Sequence, residues 1–128
     1  MALRFRLVAA TLMVAATSVF ASAGIALAHA ELALSSPKVS ATLFKAPTSV
    51  SLIFNDELID LAGANQIVVT NPKGTRVDSG MSALDRATLT TTLKRLTVFG
   101  RYKVSYRVLS ADGHPVSAFY YFYFSKKK

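Results

Sequence analysis

From residue 29 onward the chain alternates apolar and polar side chains with a two-residue period, and the 3.6-residue helical period is weak. Val50, Leu52 and Phe54 share one side of a segment whose other side carries Ser49 and Ser51. Tyr102, Val104, Tyr106 and Val108 alternate with Lys103, Ser105 and Arg107, the clearest amphipathic strand in the chain. Residues 67–70 are all β-branched and stop at Asn71-Pro72-Lys73-Gly74, a strong turn signal. Residues 87–93 are rich in Thr, which suits a half-buried pleated surface. Residues 32–35 and 76–79 complete the set as short strands. Residues 119–124 form an uninterrupted aromatic run, which predicts a strand covered on both faces. Residues 57–64 have room for a helical turn, which Gly63 keeps short. About seven short strands separated by turn residues predict an all-β domain, a Greek-key barrel or β-sandwich.

The first 28 residues follow a different rule. Arg4 and Arg6 precede an apolar stretch over residues 7–20, small residues run on to Ala28, and no acidic residue occurs before Glu31. This is the pattern of a secretory signal peptide, removed on export. Ala26-Leu27-Ala28 is the expected cleavage sequence, leaving residues 29–128 as the mature domain. A second cut after Ala21-Ser22-Ala23 would leave Gly24 first, and an uncleaved membrane anchor is the remaining alternative.

Composition narrows the classes. A mature chain of about 100 residues is one domain. There is no cysteine, so an exported domain of this size stands on its core without disulfides, and thiolate metal chemistry is excluded. Without Arg4 and Arg6 the basic residues number 13 against 7 acidic ones, a balance of +6. Nucleic acid is not an expected partner of an exported chain, and Lys126-Lys127-Lys128 is expected to be a solvated tail. Asp56, Glu57 and Asp60 lie without a histidine beside them and are expected to be solvated charges in a loop.

Only two histidines occur, His29 and His114. Cleavage after Ala28 makes His29 the first residue, with a free amine and an imidazole able to close a chelate ring on one ion. The amine's ordinary pKa of roughly 7.7–8 lets a metal displace its proton near neutrality. Asp112-Gly113-His114-Pro115 lies between two strand-like runs. If that segment is extended, Asp112 and His114 at i and i+2 converge on one face. Three nitrogens and one carboxylate oxygen suit Cu(II), which favours tetragonal N/O sites and tops the Irving–Williams order, with Zn(II) second. On this reading the site exists only at a cleaved terminus, and an uncut chain leaves it largely unmade.

The run Ser110-Ala111-Asp112-Gly113-His114-Pro115-Val116-Ser117 before an aromatic strand resembles the copper resistance protein C (CopC-like) family of periplasmic copper-binding proteins. So do the start His29-Ala30-Glu31-Leu32, the Ser35-Ser36-Pro37 that follows, and the strand Val50-Ser51-Leu52-Ile53-Phe54-Asn55. The resemblance spans essentially all of residues 29–128. It implies a cupredoxin-like Greek-key β-barrel and a high-affinity Cu(II) site, with one ion per mature chain. By motif, the ligands fall on His29 through amine and imidazole, Asp112 and His114. It also implies a periplasmic carrier, buffer or resistance factor, not an enzyme, that hands copper to an inner-membrane transporter of the CopD-like type. Some members of that family carry a Met-rich Cu(I) site, but Met81 is the single methionine after residue 28, so Cu(II) alone is expected. Two alternatives stay open: a copper oxidase of the histidine-brace type, and a metal-free exported β-sandwich. A monomer is expected.

Overall fold

The computed structural model describes residues 29–128; the signal-peptide reading and both cleavage sites fall outside the described residues. Eight strands follow one another: β1 (Leu32–Ser36), β2 (Thr42–Leu43), β3 (Ser49–Phe54), β4 (Gln66–Thr70), β5 (Asp78–Asp85), β6 (Thr88–Leu93), β7 (Gly100–Leu109) and β8 (Pro115–Phe124). They form two four-stranded sheets, ordered β1-β3-β6-β5 and β2-β8-β7-β4, packed as a β-sandwich. All pairings are antiparallel except β2 with β8. The chain repeatedly changes sheet, and only β5–β6 and β7–β8 are hairpins within one. The expected all-β sandwich is present, with one more strand than the alternation predicts. Among the described residues no helix is long and apolar enough to cross a membrane.

The two-residue period places the core. Val50, Leu52 and Phe54 on β3 and Leu89 and Leu93 on β6 face Tyr102, Val104 and Val108 on β7 and Tyr120, Phe122 and Phe124 on β8. Tyr102 stacks on Phe122 with ring centroids 5.1 Å apart, and its hydroxyl donates to the Val98 carbonyl at 2.6 Å, so a large ring is buried without stranding its polar end. Tyr120 solves the same problem by donating to the Pro37 carbonyl at 2.8 Å. Burial pushes its phenol up to about 12, so it stays a donor across the physiological range.

Three expectations need correction. The aromatic run is covered on one face only. Tyr120, Phe122 and Phe124 point inward, whereas Phe119 is 55% and Tyr123 39% exposed, because their outer neighbours are side chains of β7 and no further layer covers them. The strand expected over residues 76–79 instead runs over Asp78–Asp85. It is broken in register between Asp78 and Ser82, where Gly80 takes φ +85°. Residues 57–64 contain turns and no helix.

The bulge on β5 has a purpose at the sandwich edge. β4 is an edge strand, and two of its outward N–H groups are met by side chains of β5. Ile67 donates to Ser82 Oγ at 2.9 Å and Val69 donates to Asp78 Oδ1 at 2.8 Å. Asp78 also accepts from Arg76 Nε at 2.9 Å and from Gly80 N–H at 3.0 Å. Burial opposes the Asp78 charge, but the hydrogen bonds from Val69, Arg76 and Gly80 outweigh it and hold the carboxyl below its usual range. A lowered folded-state pKa means stability that is present above the unfolded value near 3.9 and is lost as pH falls through the folded one. Asp78→Asn is therefore expected to cost ~2 kcal/mol near pH 7. Urea titrations of both proteins from pH 7 to pH 2 should show that gap shrinking below about pH 4.

Candidate metal centre

The β7–β8 turn builds half of the site. Ser110 donates its N–H to the His114 carbonyl at 2.9 Å, and Gly113 donates to the Ser110 carbonyl at 2.9 Å. Gly113 takes φ +86°, a left-handed conformation that costs a glycine little. Asp112 Oδ1 accepts the His114 backbone N–H at 3.0 Å, closing a local Asx-type turn. Asp112 and His114 thus meet through a tight turn, and the extended geometry expected for residues 112–114 is absent.

His29 arrives from the other end of the chain. Ala30 donates its N–H to the fully buried Ser110 Oγ at 3.0 Å, and Ala30 itself is buried in the core. One residue on, Glu31 donates its N–H to Asn55 Oδ1 at 2.9 Å, and Asn55 returns its own N–H to the Glu31 carbonyl at 2.9 Å. Residues 30 and 31 are therefore clamped against the β7–β8 turn and the end of β3, which leaves the His29 side chain a short, defined reach.

The two halves converge on one atom. His29 Nδ1 lies 3.4 Å and His114 Nδ1 3.2 Å from Asp112 Oδ2. The imidazoles meet edge to face with centroids 5.5 Å apart, and potential ligand atoms of all three residues fall within 4.8 Å of one another. Asp112 Oδ2 is buried with no hydrogen-bond partner. A buried carboxylate oxygen left unpaired is costly, and one flanked by two ring nitrogens is an arrangement a cation relieves. The His114 backbone N–H, working against desolvation, and the nearby rings of His114 and His29 hold the Asp112 carboxyl below its usual range, so it is charged at neutral pH. Both histidine side chains are more than half exposed, giving an ion an open approach.

The structure thus brings together all three residues singled out from sequence. The two imidazoles and the carboxylate converge through side-chain placement alone. The clamp on residues 30 and 31 holds the His29 side chain there, and the amine that a cut after Ala28 would add lies outside the described residues. Ser110 and Asn55 escaped sequence reasoning. Each looks like an ordinary turn residue, and nothing local announces an acceptor for an N–H 80 or 24 positions away.

A cysteine-free β-sandwich with two imidazoles and a carboxylate gathered at one end defines a class: small β-domains with a candidate N/O metal centre. A CopC domain model matches residues 32–125, and the chain belongs to the CopC family. It is 33% identical over 119 residues to copper resistance protein C of Xanthomonas campestris pv. juglandis, covering 88% of this chain and 91% of that one. It is 34% identical over 93 residues to the copper transport protein CutJ of Bacillus subtilis (strain 168), 70% of this chain but only 17% of that much longer protein. Among solved structures, CopC from Methylosinus trichosporium OB3b superposes with a TM-score of 0.65 at 28% identity, over 78% of this chain and 97% of that one. PcoC, described as a methionine-rich copper resistance protein from Escherichia coli, superposes with a TM-score of 0.63 over 77% of this chain and 100% of its own, and at 23% identity shows the shared fold. By the names its relatives carry, this is a copper resistance and transport family.

The clamp makes a direct prediction. Ser110→Ala leaves the buried Ala30 N–H without an acceptor and is expected to destabilise the domain by ~1–3 kcal/mol in denaturant titrations. Backbone relaxation measurements should show raised mobility at residues 29–31, with the amides of β7 unchanged.

Proposed function

We propose that the protein is an exported, periplasmic Cu(II) carrier or buffer, holding one ion per chain through His29, Asp112 and His114 as a monomer and serving copper resistance or delivery. The observation that carries this reading is the orphaned, buried Asp112 Oδ2 with an imidazole nitrogen on either side. Membership of the CopC family supports copper as the cargo. Cleavage after Ala28 would add the amine of His29, and the resulting three-nitrogen, one-oxygen set suits Cu(II) over Zn(II), which prefers a tetrahedron. Met81, the single methionine of residues 29–128, is 79% exposed and offers one thioether, too few for a Cu(I) site of its own.

Delivery to an inner-membrane copper transporter is the finer part of the proposal. It is supported by CutJ, a copper transport protein in which the matched stretch is 17% of the whole. A carrier fits better than a histidine-brace oxidase because Asp112 stands between the two imidazoles. There its carboxylate fills a position that oxygen chemistry needs open.

Three measurements test the reading. His114→Ala should weaken Cu(II) binding by more than about 100-fold in chelator competition, since loss even of an outer partner of a metal ligand costs ~10–100-fold. Unchanged affinity would remove His114 from the site. Intact mass of the exported protein should give His29 as its first residue. An extra alanine before His29 should lower affinity and change the Cu(II) paramagnetic resonance spectrum, because it converts the amine to an amide.

A further inference from the structure

Six of the seven carboxylates are gathered in one part of the molecule. Glu31, Asp56, Glu57, Asp60, Asp85 and Asp112 all lie at the metal end. Glu31 bonds Asn55 at the end of β3, Arg86 pairs with Glu57, and Ile59 donates to the Leu109 carbonyl. The seventh carboxylate, Asp78, is buried in its bond to Arg76. The β2-β8-β7-β4 sheet contains no carboxylate in any of its four strands.

On the outer face of that sheet cations and aromatic rings alternate. Arg101, Lys103 and Arg107 project from β7, and Phe119, Tyr121 and Tyr123 from β8. Arg101 lies 4.3 Å over the Tyr121 ring and Lys103 4.3 Å over the Phe119 ring. Among the described residues none of these three cations has a carboxylate partner. Lys126, Lys127 and Lys128 follow directly on β8 at the same end. Where Ser105 and Ser117 are too small to cover the sheet, a shallow cleft opens between Phe119, Val68 and Arg107.

We propose that this face docks onto an anionic phospholipid surface. The charge complementarity is one-sided, since the whole sheet offers cations and nothing for a cationic partner. The aromatic rings decide the source of the negative charge. Exposed Phe and Tyr beside Lys and Arg are the combination that settles at the headgroup level of a bilayer, rings toward the acyl boundary and cations on the phosphates. A flat sheet face meets a planar surface without the socket that a protein ligand would need. Arg101 is eight residues along β7 from Leu109, so the metal end would stand roughly 27 Å away at ~3.4 Å per residue. Docking would lay β7 along the lipid surface, with the His29–His114 end at the edge of the docked face. The inference does not depend on which ion that end holds.

The test is vesicle flotation with the protein recovered after expression of the full chain, its first residue read by intact mass. Binding is expected to vesicles of equal phosphatidylcholine and phosphatidylglycerol, not to phosphatidylcholine alone, with release at about 0.5 M salt. Arg101→Glu should weaken binding roughly 30-fold, from ~1 kcal/mol per cation near the surface and a reversal counted twice. Arg101→Lys should bind nearly as the parent does, and Lys94→Glu, the same charge change after β6 in the other sheet, should have a several-fold smaller effect. Phe119→Ser should weaken binding with no change of charge. Equal losses from Arg101→Glu and Lys94→Glu would overturn the assignment of the face. Equal binding to neutral vesicles would assign the effect to a retained apolar leader and overturn it as well. Retention on immobilised polyglutamate without vesicle binding would replace the lipid with an acidic protein partner.

Discussion

The ladder between β7 and β8 runs unbroken from Gly100 opposite Phe124 to Leu109 opposite Pro115. Because side chains alternate across a strand, this one register decides three things together. It turns Tyr102, Val104, Val108, Tyr120, Phe122 and Phe124 into the core. It sets Arg101 and Lys103 against Tyr121 and Phe119 on the other face. It also fixes the turn that carries Ser110, Asp112 and His114. A slip of one residue would bury the cations, expose the core and aim the turn elsewhere. The candidate metal centre is therefore a consequence of strand register as much as of its own three residues.

The remaining candidate ligand, His29, is tied to the same turn through the backbone of the next residue. Ser110 Oγ takes the Ala30 N–H, and Asn55 takes the Glu31 N–H. Ordering residues 30 and 31 costs ~1–2 kcal/mol each, which would otherwise count against binding at the candidate site. Here the cost is met in folding, by a buried hydrogen bond and by burial of Ala30. The His29 imidazole then needs little further ordering, so the candidate site's three side chains are largely pre-positioned.

Much of this was legible in sequence where periodicity was regular. The alternating run of β7 announces its strand and inward face, the β-branched run of β4 announces its strand, and Asp112-Gly113-His114-Pro115 marks its own turn and chemistry. Other features are set by distant partners. β2 is two residues long and exists because it lies parallel to the end of β8. β5 bends at Gly80 so that Asp78 and Ser82 can serve the edge of β4, a need invisible within residues 76–85. Six consecutive aromatics carry no alternation, so sequence alone does not say that Phe119 and Tyr123 face outward. Ser110 is likewise silent, since its partner lies 80 residues away.

The placement of Asp112 bears on the proposed choice between copper carriage and copper chemistry. Its Oδ1 is occupied by the His114 N–H, which fixes the carboxylate plane, and its Oδ2 alone faces the two rings. An ion bound there would have an oxygen ligand held by the turn itself, unable to swing aside without breaking the bond that shapes the turn. A site that activates oxygen needs a position that opens and fills during turnover. A site that holds and releases an ion needs ligands that stay put until a competitor displaces them. The outward-facing rings of His29 and His114 are the accessible points where such a competitor would begin, leaving the half-buried carboxylate as the last contact to break.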